Sequence, residues 1–185
     1  PTFLHEQNAF PGVTIKLLSK KADVVFLAFG EAKAHLPTER PCVVVGNPVR
    51  QEFLTATRAE ARKKLGLDDA FTIFSVGGSS GANAINKMAA DIMAWHCKEG
   101  KINHIHGYGK HGRENFPKML EERGIDLNDY PRIQAREYID DMALWTAAAD
   151  LVISRAGAIT ISELEVLGKP SILVPYPYAA ENHQY

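Results

Sequence analysis

Two glycine-rich loops, each set between an apolar run and a helix-forming stretch, restrict this chain more than any other feature. The first follows residues 71–76 and reads Gly77-Gly78-Ser79-Ser80-Gly81-Ala82; the second follows residues 151–154 and reads Arg155-Ala156-Gly157-Ala158. A strand that turns sharply into a helix aims free backbone N–H groups and the positive end of the helix dipole at one place. The natural guest there is an anion, most often a phosphate. Glycine is expected at such a turn because a side chain would block the approach of the backbone. Two such turns in one domain point to a ligand with a phosphate at one place and further polar groups at another.

The remaining pattern sets these turns in an α/β chain. Helical spacing over 13–22 brings Val13, Leu17 and Leu18 to one side. Short apolar runs without alternation at 24–29 and 42–45 suit buried parallel strands. Gly46-Asn47-Pro48 punctuates the chain and marks a candidate hinge. Thr57-x-x-Glu60 is a capping box opening a helix that stops at Gly66. Strand 71–76 leads to helix 82–98, with Ile85, Met88, Ala89, Ile92 and Met93 as its apolar stripe and Gly100 as its stop. Strand 102–106, a Gly107-Tyr108-Gly109 loop, a charged helix near 112–123 and strand 132–138 follow. Asp140 is read as the N-cap of helix 141–149; strand 151–154, helix 159–167 and strand 171–174 complete the series. This alternation predicts a Rossmann-like parallel sheet with helices on both faces, every strand-to-helix loop lying at the carboxyl edge, where ligands bind.

A formal net charge of −1 and the lack of a basic stretch argue against nucleic-acid binding. Cys42 and Cys97 lie far apart in apolar runs and read as reduced core residues of a cytosolic protein. No apolar run approaches the roughly 20 residues of a membrane-spanning helix, and no signal peptide is visible. The chain opens on Pro1 rather than Met and closes in a polar segment at 181–185, so it is read as a piece of a longer protein.

The first loop is neither a Walker loop nor G-x-G-x-x-G, so an ATP or nicotinamide reading loses ground. Ser79 can offer a hydroxyl and an N–H to a phosphate oxygen; the plainer alternative is a tight turn with serine caps. Thr160-x-x-Glu163 reads on pattern as a capping box; otherwise the Glu163 carboxylate accepts hydrogen bonds from two ribose hydroxyls. Arg50 and Arg155 each either neutralise a diphosphate or pair with a nearby acid. His104-x-His106, with His111 nearby, lacks a third ligand of fixed geometry, so no metal is expected and the pair reads as a polar strand face or loop contact. No Asp-x-Asp triplet and no Gly-x-Ser-x-Gly elbow occurs. Polar residues after Pro175-Tyr176-Pro177-Tyr178 either reach a sugar or form a solvated loop.

Six stretches occur in one order across nearly the whole chain. They are His5-Glu6-Gln7-Asn8, Gly46-Asn47-Pro48-Val49-Arg50, the loop at 77–82, Tyr138-Ile139-Asp140-Asp141-Met142, Ser154-Arg155-Ala156-Gly157-Ala158 with Thr160 and Glu163, and His183-Gln184. Together they resemble the MurG family of bacterial peptidoglycan N-acetylglucosaminyltransferases, in glycosyltransferase family 28. The resemblance implies a GT-B fold, two Rossmann-like domains facing each other across a cleft. Residues 1–47 would be the end of the amino-terminal domain plus the linker, and 48–185 the donor-binding domain, truncated at its end. It implies inverting transfer of N-acetylglucosamine from UDP-N-acetylglucosamine to lipid I, giving lipid II, without a cofactor, by a peripheral protein on the cytoplasmic face of the bacterial inner membrane. Ser79 and the glycine amides of Gly77, Gly78 and Gly81, with Ser80, would cradle the diphosphate. Ile139 would recognise the uracil edge through its backbone, and Glu163 the ribose diol. Ala158, Thr160, His183 and Gln184 would surround the sugar and phosphates, Arg50 and Arg155 would be site arginines, and Asn8 would enter from the amino-terminal side. The general base and the lipid I site are expected in an absent amino-terminal part, so this piece would bind donor without turnover. Another UDP-sugar enzyme of GT-B or epimerase type, or a donor-binding subunit, is the alternative.

Overall fold

A computed structural model describes residues 1–177, in two compact units. The larger comprises Arg50–Arg155 and Glu163–Val174. Its strands are β4 (Thr72–Val76), β5 (Asn103–Gly107), β6 (Ile133–Arg136), β7 (Leu151–Arg155) and β8 (Ser171–Val174), all parallel, in the order β6-β5-β4-β7-β8. Strands β4 and β5 are buried along their whole length, as parallel strands covered on both faces are. Phe74 and Val76 of β4 join Ile105, Val152 and Trp145 in one apolar cluster. Ser75, pointing the other way, faces His104 and His106 beneath α4 (Asn83–Glu99). Helix α4 packs on α5 (Asn115–Glu121) through Ala89, Ala90, Met93, Phe116 and Leu120. The opposite layer holds α2 (Gln51–Thr55), α3 (Arg58–Leu65) and α6 (Met142–Ala148), with Ala61 against Ala147 and Ala148. The expected α/β architecture is therefore present.

Arg62 ties this layer to the sheet. It is buried and donates to the carbonyls of Ala148, Asp68 and Ala70, to Thr72 Oγ1, and to Asp150 Oδ2 at 2.5 Å. A buried guanidinium needs such partners in full, because each unmet donor keeps its desolvation cost. Helix α3 starts where its capping box placed it: Thr57 Oγ1 accepts from the Glu60 amide at 3.4 Å and donates to Glu60 Oε2 at 3.0 Å. Gly66 closes it with φ +66°. Thr57→Ala is expected to lower the unfolding free energy by about 1 kcal/mol in urea titration, the usual loss of a side-chain cap.

The smaller unit comprises Pro1–Val49, Ala156–Ser162 and, of the described residues, Pro175–Pro177. Its parallel sheet runs in the order β1 (Phe3–Glu6), β2 (Val24–Leu27) and β3 (Cys42–Val44). Ala22, Val25, Leu27, Ala32 and Leu36 form its core, with α1 (Val13–Leu18) contributing Ile15. Among the described residues no helix is long and apolar enough to cross a membrane.

Several boundaries differ from the sequence reading. Strand β1 and helix α2 were not expected, and α1 stops at Leu18 rather than residue 22. The helix expected at 112–123 spans Asn115–Glu121, and the strand expected at 132–138 spans Ile133–Arg136. The N-cap of α6 is Asp141, not Asp140, and its side chain makes no capping bond. Cys42 and Cys97 are free thiols, half-buried rather than fully enclosed, and each packs against the margin of an apolar cluster.

Candidate functional site

The larger sheet reverses its strand order at β4: the chain goes outward to β5 and β6, then returns to lay β7 on the other side. At such a switch point the two adjoining strand-to-helix loops diverge and leave a crevice at the carboxyl ends. Val76 and Ser154 are register partners, so the two glycine-bearing loops leave from neighbouring strand ends.

The first loop is held by backbone geometry. Gly78 and Gly81 have φ of +86° and +83°, and the Gly81 amide donates to the Gly78 carbonyl at 3.0 Å. A Cβ on Gly77 would lie 2.5 Å from the Ala82 nitrogen, and one on Gly81 would lie against the Tyr108 carbonyl oxygen. The 17-residue helix α4 begins directly after it, and its N-cap residue Ala82 makes no side-chain capping bond. First-turn amides of a long helix, left without a side-chain cap, are suited to an anion. The loop after β5 completes this structure: the Lys110 amide donates to the Ser79 carbonyl at 3.1 Å and the His111 amide to the Ser80 carbonyl at 2.9 Å. Gly109 has φ +70°, and a Cβ there would meet the backbone of Gly81. Residues 108–111 therefore belong to the candidate site. The Gly-Tyr-Gly spacing signals the loop but not which loop it packs on.

Helix α7 (Ala158–Val166) starts two residues before Thr160, so Thr160 and Glu163 lie inside it and form no capping box. The pattern reading of that pair is overturned. Glu163 is instead a buried carboxylate, 7% exposed, whose Oε1 accepts from Arg50 Nε at 3.1 Å and Nη2 at 3.0 Å. Arg50 stacks over the buried Phe53 ring, its guanidinium carbon 4.8 Å from the centroid. Among the described residues both bonds to the carboxylate fall on Oε1, and Oε2 is the oxygen left to a further donor. Arg155 Nη1 donates to the Val174 carbonyl at 3.2 Å, which steadies its guanidinium at the end of β7. Ile139 is buried in the apolar cluster beside Trp145, its Cγ1 2.9 Å from where a Cβ on Gly107 would stand. Among the described residues nothing demands Gly157: a Cβ there would meet no atom of them closer than Thr160 Oγ1 at 3.8 Å. Packing of the chain on itself thus demands glycine at Gly77 and Gly81 of the first loop and makes no such demand at Gly157.

In the smaller unit, Asn8 donates to Glu6 Oε1 through both its amide, at 2.8 Å, and its Nδ2, at 3.1 Å. With Ala9, Phe29, Ala156, Ala158 and Ile161 it lines a cavity of about 160 Å³. Asn47 Nδ2 reaches the Gln7 carbonyl and Ser162 Oγ, both at 3.2 Å. His183 and Gln184 lie outside the described residues. His104 and His106 share one face of β5, as their spacing implies, but that polar face is wholly buried against Ser75. Among the described residues no group of three or more His, Cys, Asp or Glu side chains is placed to hold a metal ion.

The sequence matches the glycosyltransferase family 28 C-terminal domain over residues 72–185. It is 43% identical over its full length to the UDP-N-acetylglucosamine--N-acetylmuramyl-(pentapeptide) pyrophosphoryl-undecaprenol N-acetylglucosamine transferase of Desulforamulus reducens, covering 50% of that protein. It is 45% identical to the Acetivibrio thermocellus protein of the same name, covering 49% of it. The crystal structure of Acinetobacter baumannii MurG superposes with a TM-score of 0.66 at 33% identity, over 100% of this chain and 48% of that one. The chain thus spans about half the length of the relatives it matches.

Proposed function

This chain belongs to glycosyltransferase family 28 through its C-terminal domain, and from that premise we propose that it binds UDP-N-acetylglucosamine and serves transfer of N-acetylglucosamine to lipid I. Residues 48–185 act as the donor domain and residues 1–47 as the end of the acceptor-side domain and the linker. The observation that carries the reading is the placement of both glycine-bearing loops on the neighbouring strands where the sheet reverses. Amides of the loop at 77–82 and the first turn of α4 take the diphosphate, with Ser79 adding its hydroxyl. Their dipoles stabilise the charge that grows on UDP as the glycosidic bond breaks, with inversion at the anomeric carbon. Glu163 accepts from the ribose diol through Oε2, while the two bonds from Arg50 to Oε1 orient its carboxylate. Ile139 offers its backbone to the uracil edge. Ala158, Thr160, His183 and Gln184 surround the sugar and phosphates, with Arg155 and Asn8 at the margins. The general base and the lipid I contacts come from outside this chain, at the cytoplasmic face of the membrane.

The test is calorimetry with UDP and UDP-N-acetylglucosamine, set against UDP-glucose and UDP-galactose. UDP-N-acetylglucosamine is expected to bind most tightly of the sugars; equal heats for all three would make the chain a donor domain of another UDP-sugar enzyme. Glu163→Ala is expected to weaken UDP binding by about 1–3 kcal/mol, roughly five- to 150-fold, the loss that follows removal of a charged hydrogen-bond partner. An unchanged dissociation constant with helicity intact would remove Glu163 from the ribose site.

A further inference from the structure

Behind the loop at 77–82 runs a buried line of side chains that donor binding, as described so far, does not use. Ser75 Oγ stands 2.8 Å from His104 Nε2 and 2.8 Å from His106 Nδ1. His106 Nε2 stands 3.1 Å from Asn86 Oδ1, and Asn86 Nδ2 donates to the Tyr108 carbonyl at 3.0 Å. Ser75, His104, His106 and Asn86 are each at most 3% exposed. The far end of the line is the carbonyl that lies against Gly81.

One end fixes the direction of every bond. The Tyr108 carbonyl can only accept, so Asn86 must turn its NH₂ toward it and its oxygen toward His106. His106 then carries its proton on Nε2, and its bare Nδ1 accepts from the Ser75 hydroxyl. Ser75 in turn accepts from the Nε2–H of His104. This arrangement makes all four side-chain links; with His106 protonated on Nδ1 instead, either the His106–Asn86 link or the Asn86–Tyr108 link becomes a meeting of two acceptors. In the four-link arrangement the contact of His106 Nδ1 with the Ser75 carbonyl at 3.1 Å carries no proton. Burial, which pushes both imidazoles well down from their ordinary range, keeps them neutral as the line requires.

We propose that this line, His104–Ser75–His106–Asn86, holds the Tyr108 carbonyl against Gly81, making His106 and Asn86 positioning residues for the donor-phosphate loop. The proposal rests on the donor reading above. The loop itself has no side-chain cap on α4, and its shape is set by backbone contacts with residues 108–111. Asn86 reaches from the first turn of that helix to the carbonyl at the root of the partner loop. It therefore fixes the spacing between the two loops, to which phosphate-binding amides are sensitive.

Two measurements on the 185-residue chain test this. Long-range ¹H–¹⁵N spectra of the wild type are expected to show His104 and His106 as Nε2–H tautomers; an Nδ1–H signature at His106 overturns the line. UDP titration is then compared for His106→Gln, whose terminal NH₂ can replace the Nε2–H donor to Asn86, and His106→Leu, which fills the space without donating. The Gln variant is expected to stay within about threefold of wild type, and the Leu variant to bind at least about tenfold more weakly. A role in packing alone predicts the reverse order, because Leu suits the apolar contact with Phe116 better. A wild type that binds UDP while both variants bind alike overturns the positioning role and leaves the donor reading intact. A wild type with no UDP signal overturns the donor reading, and the positioning role with it. Should the Leu variant fail to fold, Asn86→Asp replaces it: Asp accepts from His106 but cannot donate to Tyr108, and the same tenfold loss is expected, with wild-type affinity overturning the proposal.

Discussion

Gly81→Ala is expected to lower the unfolding free energy by about 2–4 kcal/mol and to weaken UDP binding at least about a hundredfold. Two costs coincide at this position. The residue has φ +83°, where an L side chain is strained, and the new Cβ would fall against the Tyr108 carbonyl oxygen and 3.2 Å from the Gly109 Cα. These are backbone atoms, which cannot swing aside as a long side chain can. Gly109 meets Gly81 from the other side with φ +70°, so neither loop can retreat without pulling the other. Relief must come from separating the loops, and that moves the amides meant for the diphosphate. Gly157→Ala is the contrast, since a Cβ there has 3.8 Å of clearance and no positive φ. It should leave stability within about 0.5 kcal/mol of wild type. If it nevertheless weakens UDP binding, the space over Gly157 is taken by ligand rather than by protein. Urea titration and UDP calorimetry on the two variants decide the matter; wild-type stability and affinity in Gly81→Ala would dissolve the interlock.

The larger unit was legible in the sequence because its signals are local. The runs at 71–76 and 151–154 are apolar apart from Thr72, Ser75 and Ser154, and Gly66 and Gly100 end their helices with φ of +66° and +65°. The glycine loops were legible for the same reason. What was hidden depends on contacts between distant positions. Strand β1 is four residues, Phe-Leu-His-Glu, whose polar half becomes a strand only by pairing with β2. Helix α2 has five residues and one buried side chain, Phe53, too little to show a period. Thr160-x-x-Glu163 has the spacing of a capping box, but α7 begins upstream at Ala158, and the partner of Glu163 is Arg50, 113 positions away. His104 and His106 look like a polar strand face because nothing nearby shows that Ser75 sits between them on the adjoining strand. Propensity cannot report such pairings; only the register of β4 against β5 does.

Those histidines also set the response to acid. The chain is expected to lose about 3 kcal/mol of unfolding free energy between pH 6.5 and pH 4, before the carboxylates contribute. Burial pushes His106 down to about 4. Burial, then the repulsion a second proton would meet from a protonated His106 or His96, take His104 well below its ordinary value, and burial lowers His96 as well. An imidazole ordinarily titrates near 6.5 in an unfolded chain. Between that pH and its folded value the unfolded state binds the extra proton, so stability rises with pH across the window. Its full value is present above about pH 6.5 and is lost as pH falls toward 4. At about 1.4 kcal/mol per unit, His106 alone supplies about 3 kcal/mol, a large part of a typical domain's stability. The carboxylates act lower. Asp68 is held down by its bond from Arg132, then by Asn103; Asp23 by the Thr2 amide. At Asp150 burial acts upward but is outweighed by the Thr72 amide, Arg58 and Arg62. Each of these acids has a folded value below its unfolded one, so its contribution persists above about pH 4 and fades only below. Urea titrations at half-unit steps from pH 7 to pH 4 should therefore slope steeply, and His106→Gln should flatten the slope by its share. A profile level across that range would mean that the three imidazoles are not closed off from water in the folded chain, and the line from His104 to Tyr108 would lose its reason to stay neutral.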